Sequence, residues 1–257
     1  MLRVLGVARP VAAGRRRWVS AVITWLLLSG GFVNSGFAQV TNLSLGQSIN
    51  LSQLTSGLSL QVGDKLFSDF AFGSVSNNFQ PSMVAVSALS NQIGFGISFQ
   101  LNNFLAVGNA TNDIALKFSV KVLDPDNLIS DAHLTFTGDA WGAAFADIAE
   151  TVYTNGFGGD SIASLSVTTS GNPADQSASS IFAVPQTKIW VQKDVSVVAF
   201  GSEAGDHAGI SIIDQTFSEV PEPSTLVLLV AGLIALLLVT RRTRRAPSID
   251  LRRPGRR

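Results

Sequence analysis

Only two imidazoles stand in the sequence, His133 and His207. Hydrolysis by a Ser/His/Asp set needs a base with a carboxylate partner and a nucleophile on a sharp turn. Asp131 lies two residues from His133, so on a strand both would face one side. Asp206 adjoins His207. Neither pair comes with a nucleophile-elbow sequence. Fifteen acids lie between Asp64 and Asp214, but no motif selects two of them as a glycosidase pair. Asp124-Pro125-Asp126-Asn127 spaces oxygen ligands as a hard cation would require, yet the rest of a calcium loop is missing, and an ordinary turn is the simpler reading. No glycine-rich phosphate loop follows a strand and opens a helix. The chain has no cysteine, which removes a disulfide framework, a thiol nucleophile and a cysteine zinc site. The expectation is a protein with no catalytic residue, no cofactor and no metal, and therefore not an enzyme.

A different kind of chemistry is written near the C-terminus. Val220-Pro221-Glu222-Pro223-Ser224-Thr225 holds a glutamate between two prolines. Prolines at i and i+2 keep the chain extended and bar a helix or a central strand. A carboxylate fixed in that way is a presentable recognition element. Pro223 to Thr240 is uncharged. At ~1.5 Å per residue it would span roughly 27 Å as a helix, close to a hydrocarbon core of about 30 Å. We expect a transmembrane helix over 224–240. Arg241, Arg242, Arg244 and Arg245 end it and keep that side in the cytoplasm.

The N-terminus has the complementary pattern. Met1 to Arg17 is basic, Trp18 to Val33 is uncharged and mostly apolar, and Gly36-Phe37-Ala38 offers small side chains before a cut between Ala38 and Gln39. This is the order of a secretory signal peptide, handled by the Sec translocon and signal peptidase. Charge is sorted along the chain. All thirteen arginines lie at or before Arg17 or at or after Arg241, and seventeen of the eighteen acids lie between them. The segments carry +5, −12 and +7. The acidic middle repels phosphate and argues against nucleic-acid binding.

The constellation of Pro-Glu-Pro, short apolar helix and arginine cluster, in a chain with a signal peptide, resembles the PEP-CTERM sorting signal of Gram-negative bacteria that make exopolysaccharide. The resemblance covers Val220 to Arg245. It implies that exosortase, an integral-membrane protease-transpeptidase, recognises the signal and that the tail is removed. Family tails usually stop soon after the arginines, whereas this sequence continues from Ala246 to Arg257. The resulting organisation is a signal peptide over 1–38, an extracytoplasmic domain over 39–219, the sorting signal over 220–245, and a basic cytoplasmic tail over 246–257.

Between these ends the apolar residues alternate. Ile93, Phe95, Ile97, Phe99 and Leu101 do so, as do Ile114, Leu116, Phe118, Val120 and Val122. Leu58, Leu60 and Val62, Leu134 with Phe136, and Leu165 with Val167 repeat the pattern. Ile189 with Val191, then Val195, Val197 and Ala199, suggest a strand pair or one bent strand. Turn signals such as Gly108-Asn109 and Asn155-Gly156 separate the runs. Strands with one apolar face predict an all-β, antiparallel β-sandwich of roughly eight to ten strands. Trp141 to Glu150 is ambiguous, since its alanines also permit a short helix. Gln39 to Gly57 suits an edge strand or a loose start.

Three short phrases look like ones found in PEP-CTERM proteins: Val62 to Phe70, Val191 to Val195, and Ser211 to Phe217. They carry no known chemistry and suit turns and strands of a shared sandwich. The function expected is that of an exported surface or extracellular-matrix protein, structural or adhesive, in contact with exopolysaccharide. The alternative is a carbohydrate-binding or carbohydrate-active sandwich, which would need Trp141, Tyr153 or Trp190 exposed along a groove.

Overall fold

Apolar and β-branched side chains at every second position bury on one face of a pleat, which is why these alternations become strands. The computed structural model describes residues 39–75, 79–170, 176–201, 205–221 and 231–236. The first part of the domain comprises β1 (Val40–Asn42), β2 (Ser48–Asn50), α1 (Leu51–Leu54), β3 (Ser59–Val62), β4 (Lys65–Ser74), β5 (Val84–Ser90), β6 (Phe95–Leu101) and β7 (Leu105–Val107). It continues with β8 (Ala110–Val122), β9 (Asn127–Trp141), β10 (Ala144–Thr154), β11 (Asp160–Thr169) and β12 (Ser177–Gln186). Three strands close it: β13 (Lys188–Ala199), β14 (His207–Phe217) and β15 (Glu219–Pro221).

Two sheets face each other. One has the order β1-β3-β4-β8-β13-β10-β11; the other runs β12-β9-β14-β6-β5-β2, with β15 added on β9 and β7 on β14. Ile114, Leu116, Phe118, Val120 and Val122 are all buried, as the alternation predicts. The aromatic centre joins both sheets. Phe118 lies 6.2 Å from Phe67 in its own sheet and 5.7 Å from Phe99 across the gap, and Phe67 lies 6.3 Å from Phe217. Burying one such ring contributes ~1.5–3 kcal/mol.

The architecture is the predicted sandwich, with differences in detail. Among the described residues there are fifteen strands, because short edge segments such as β1, β2, β7 and β15 carry too few residues to show a period. All the pairings are antiparallel except that of β1 with β3, where Val40 meets Ser59 in parallel. Gln39 to Gly57 thus supplies an edge strand to each sheet, β1 and β2, followed by α1. Asn50 caps α1, its Oδ1 accepting from the Ser52 amide at 2.9 Å. Trp141 to Glu150 is not a helix: Trp141 ends β9, Gly142 and Ala143 make the turn, and Ala144 onward is β10. Ala144, Ala146 and Ile148 form a buried row, and pairing with β13 outweighs the helical preference of alanine. Ile189 to Ala199 is one unbroken strand, whose inward row includes Lys193.

The described residues belong to one compact unit, residues 38–257. The predicted signal peptide, with Ala38, lies outside the described residues. Residues 231–236 are helical and exposed. Among the described residues no helix is long and apolar enough to cross a membrane. Most of the expected transmembrane span lies outside them, as do Arg241 and Arg242.

Candidate functional site

The predicted recognition element begins on the sandwich itself. β15 is laid along β9, with Glu219 opposite Ile129, Val220 opposite Leu128 and Pro221 opposite Asn127. Proline has no N–H to give to a ladder, and here it ends an edge strand, where the loss costs least. β15 bridges the boundary that the sequence reading places between 219 and 220. Glu222, Pro223, Ser224 and Thr225 lie outside the described residues.

A buried cation holds this end. Lys65 is 2% exposed, and its Nζ donates to Glu219 Oε1 at 2.6 Å and to Asp64 Oδ1 at 3.2 Å. Burial, helped by the neighbouring Asp64 carboxylate, raises the Glu219 carboxyl above its ordinary value against the lowering effect of Lys65. Lys65 is positioned by the two-residue turn Gly63-Asp64 between β3 and β4. Gly63 has φ +59°, and a Cβ there would meet the Phe95 ring at 2.6 Å. Only glycine takes that backbone conformation without strain and leaves room for the ring.

The first histidine pair belongs to the same corner. His133 Nε2 lies 3.2 Å from Asp131 Oδ2, as their spacing on β9 predicts. The other oxygen, Asp131 Oδ1, accepts from the Ser218 amide at 2.8 Å, and the Ser130 amide donates to Ser218 O at 3.0 Å. Asp131 therefore pins the corner between β14 and β15. His207 turns away from Asp206 and meets Asp139 Oδ2 at 3.2 Å. A hydrogen bond to Gly205 O and the Asp139 carboxylate raise its pKa. Asp206 instead accepts from the Ala143 amide at 3.0 Å. Neither histidine has a hydroxyl of the described residues on its ring nitrogens.

The second site was not chosen from the sequence. Lys193 on β13 and Glu150 on β10 are register partners, and both side chains are fully buried. Lys193 Nζ donates to Glu150 Oε2 and, across the gap between the sheets, to Gln215 Oε1 on β14. Glu150 Oε1 and Gln215 Nε2 have no hydrogen-bond partner among the described residues. Burial pushes the Lys193 ammonium down toward the neutral amine, against the attraction of Glu150. The sequence did hold a signal. Each residue occupies the inward phase of an apolar alternation: Ile148-Glu150-Val152, Val191-Lys193-Val195 and Ile213-Gln215-Phe217.

The three phrases singled out earlier supply Lys65, Lys193 and Gln215. The first also supplies Asp69, at a bulge in β4, with φ +57°. Asp69 Oδ2 accepts from Ser119 Oγ at 2.7 Å and from Lys188 Nζ at 3.0 Å. Burial raises its pKa, but these bonds lower it further, so the net shift is down.

An open apolar cleft of about 300 Å³ lies between β7 and the β9–β14 ladder, lined by Phe104, Leu105, Asp139, His207 and Ile210 among others. Trp141 is 65% exposed, whereas Tyr153 and Trp190 are half-buried cross-strand partners. None of the three lines this cleft. Asp124 makes an ordinary turn, its Oδ1 accepting from the Asp126 amide at 2.9 Å. No group of three or more acidic or histidine side chains among the described residues is placed to hold a metal ion.

Residues 219–245 match the PEP-CTERM protein-sorting motif. No curated protein matches the chain. Among solved structures, TmCBM61 in complex with beta-1,4-galactotriose is 14% identical at a TM-score of 0.31, over 59% of this chain and 90% of that one. The glycosylation-associated Gap123 complex from Streptococcus agalactiae is 10% identical at 0.29, over 62% of this chain and 25% of that one. A family 11 carbohydrate-binding module from Clostridium thermocellum, solved with a mixed-linked tetrasaccharide, is 10% identical at 0.22, over 57% and 88%. These are distant likenesses. The described residues form a two-sheet β-sandwich, and a sorting signal begins at its last strand. That signal is the PEP-CTERM motif, which implies exosortase as processing partner, export, and a membrane-anchored precursor.

Proposed function

We propose that the protein is a non-enzymatic building or adhesive component, delivered by exosortase to the cell surface or extracellular matrix, where it contacts exopolysaccharide. The observation that carries this reading is the sorting motif at 219–245, continuous with the last strand of the sandwich. The signal peptide carries the chain through the Sec translocon, and signal peptidase cuts between Ala38 and Gln39. The helix over 224–240 then holds the precursor in the inner membrane, with Arg241 and Arg242 in the cytoplasm. Pro221 and Pro223 keep the backbone extended, so an enzyme cleft holds it at low entropic cost. Glu222 offers a carboxylate that a basic pocket can pair.

The test is the triple substitution of Pro221, Glu222 and Pro223 to Ala. The variant should be exported, lose its signal peptide, and accumulate in the inner membrane with its tail uncut. The unaltered protein should run shorter and fractionate with the surface or matrix. Fractionated cells are compared by immunoblot with an internal epitope tag. Identical size and location for both forms would make the Pro-Glu-Pro element a linker and defeat the reading.

A further inference from the structure

We propose that Lys193 and Gln215 form an intramolecular isopeptide bond that staples the two sheets, with Glu150 carrying the proton. Three facts place the reactants. Lys193 Nζ already hydrogen-bonds Gln215 Oε1, which sets the amine beside the carbonyl carbon Cδ of that amide. Glu150 Oε2 is bonded to the same Nζ, so a proton acceptor touches the nucleophile, while its other oxygen and the Gln215 Nε2 that must leave are both buried without a partner among the described residues. All three residues are walled from water: Lys193 and Gln215 are 0% exposed and Glu150 1%.

The surroundings favour the reaction. Val191 and Val195 flank Lys193 on its strand, Ile148 and Val152 flank Glu150, and Ile213 and Phe217 flank Gln215; all six are buried. A buried ion pair gains little net stability, because desolvation offsets the Coulomb attraction. Proton transfer from Lys193 to Glu150 removes both charges and yields the two species the step needs, a neutral amine nucleophile and a carboxylic acid. Reactants fixed by a folded core in near-contact geometry have a high effective concentration.

The step balances. The Nζ lone pair attacks Gln215 Cδ and forms the new C–N bond. Glu150 gives its proton to Nε2 as the old C–N bond breaks, and ammonia leaves. The surplus proton on Nζ passes to Glu150. The products are a secondary amide between Lys193 and Gln215, one ammonia, and an uncharged Glu150. No oxidant and no cofactor are consumed. Glu150 then donates a hydrogen bond within the core, and no charge remains there. A cross-link of this kind would give a protein without cysteine a covalent tie between β13 in one sheet and β14 in the other.

The test is peptide mapping of the full chain after denaturation and trypsin digestion. The peptide that starts at Ile189 should retain an uncut Lys193, contain Gln215, and lack the mass of one ammonia, with fragment ions placing the loop between those residues. Ammonia loss confined to an N-terminal Gln39 would not count, since that glutamine can cyclise by itself. Peptides at full sequence mass would overturn the proposal. A deficit of one water, with Lys193 joined to Glu150, would overturn the choice of Gln215. The Glu150→Gln variant keeps the shape of the side chain but cannot move the proton, and circular dichroism shows whether it folds. Folded E150Q should show full mass and a free Lys193, and a cross-linked E150Q would remove Glu150 from the mechanism. The unaltered chain decides the main point even if that variant does not fold.

Discussion

Lys65 shows how one side chain ties the sandwich to its sorting signal. A lysine that is 2% exposed must find anionic partners, and Asp64 and Glu219 supply them. Lys65→Met keeps much of the stem packing and removes the cation. Glu219 then faces Asp64 without compensation, and the loss should be about 1–3 kcal/mol in urea unfolding. Combining Lys65→Met with Glu219→Met should recover part of it, because no half-buried charge is then left alone at position 219. Additive losses would mean that the pair contributes nothing. Asp131 is a second case. Its spacing from His133 put both on one side of a strand, and there one oxygen meets the histidine while the other accepts from the Ser218 amide.

Elements decide where those residues stand. Gly96 on β6 leaves no room for a side chain beside β14. A Cβ there would lie 1.9 Å from Gln215 O on β14, a backbone atom that cannot swing away. Gly96→Val should therefore push β6 off β14 and lower stability by about 1–3 kcal/mol. Differential scanning calorimetry on the purified domain checks this, and an unchanged midpoint would refute it. The same principle explains Trp141 to Glu150. Alanine favours a helix in isolation, but Ala144, Ala146 and Ile148 fill the inward row of β10 against β13, and burial plus a full ladder outweigh a preference worth a few tenths of a kcal/mol per residue.

At the scale of the whole molecule, charge and hydropathy set topology. A middle carrying −12 between basic ends should lie outside the cytoplasm, since arginine clusters resist translocation. A reporter active only in the cytoplasm, fused after Gly171, should stay silent in cells; strong activity would sink that topology. The sandwich also shapes what the processing enzyme meets. With β15 on β9, the motif's first three residues, Glu219 to Pro221, are moored to an edge of the sandwich, and an enzyme that reads Glu222 as proposed would meet it one residue beyond that edge.

Sequence alone determined the all-β class, the buried face of β8 and the sorting signal, because each is written in a local pattern: a period of two, a proline pair, a run of apolar residues closed by arginines. Tertiary structure decided the rest. Nothing local says that Lys65 reaches Glu219, 154 residues later, or that Lys193 meets Gln215 in the opposite sheet. The in-phase polar residues at 150, 193 and 215 were visible as interruptions of the alternation. Their partnership was not, since a polar residue facing inward on one strand is a defect until the facing strand brings the group that satisfies it.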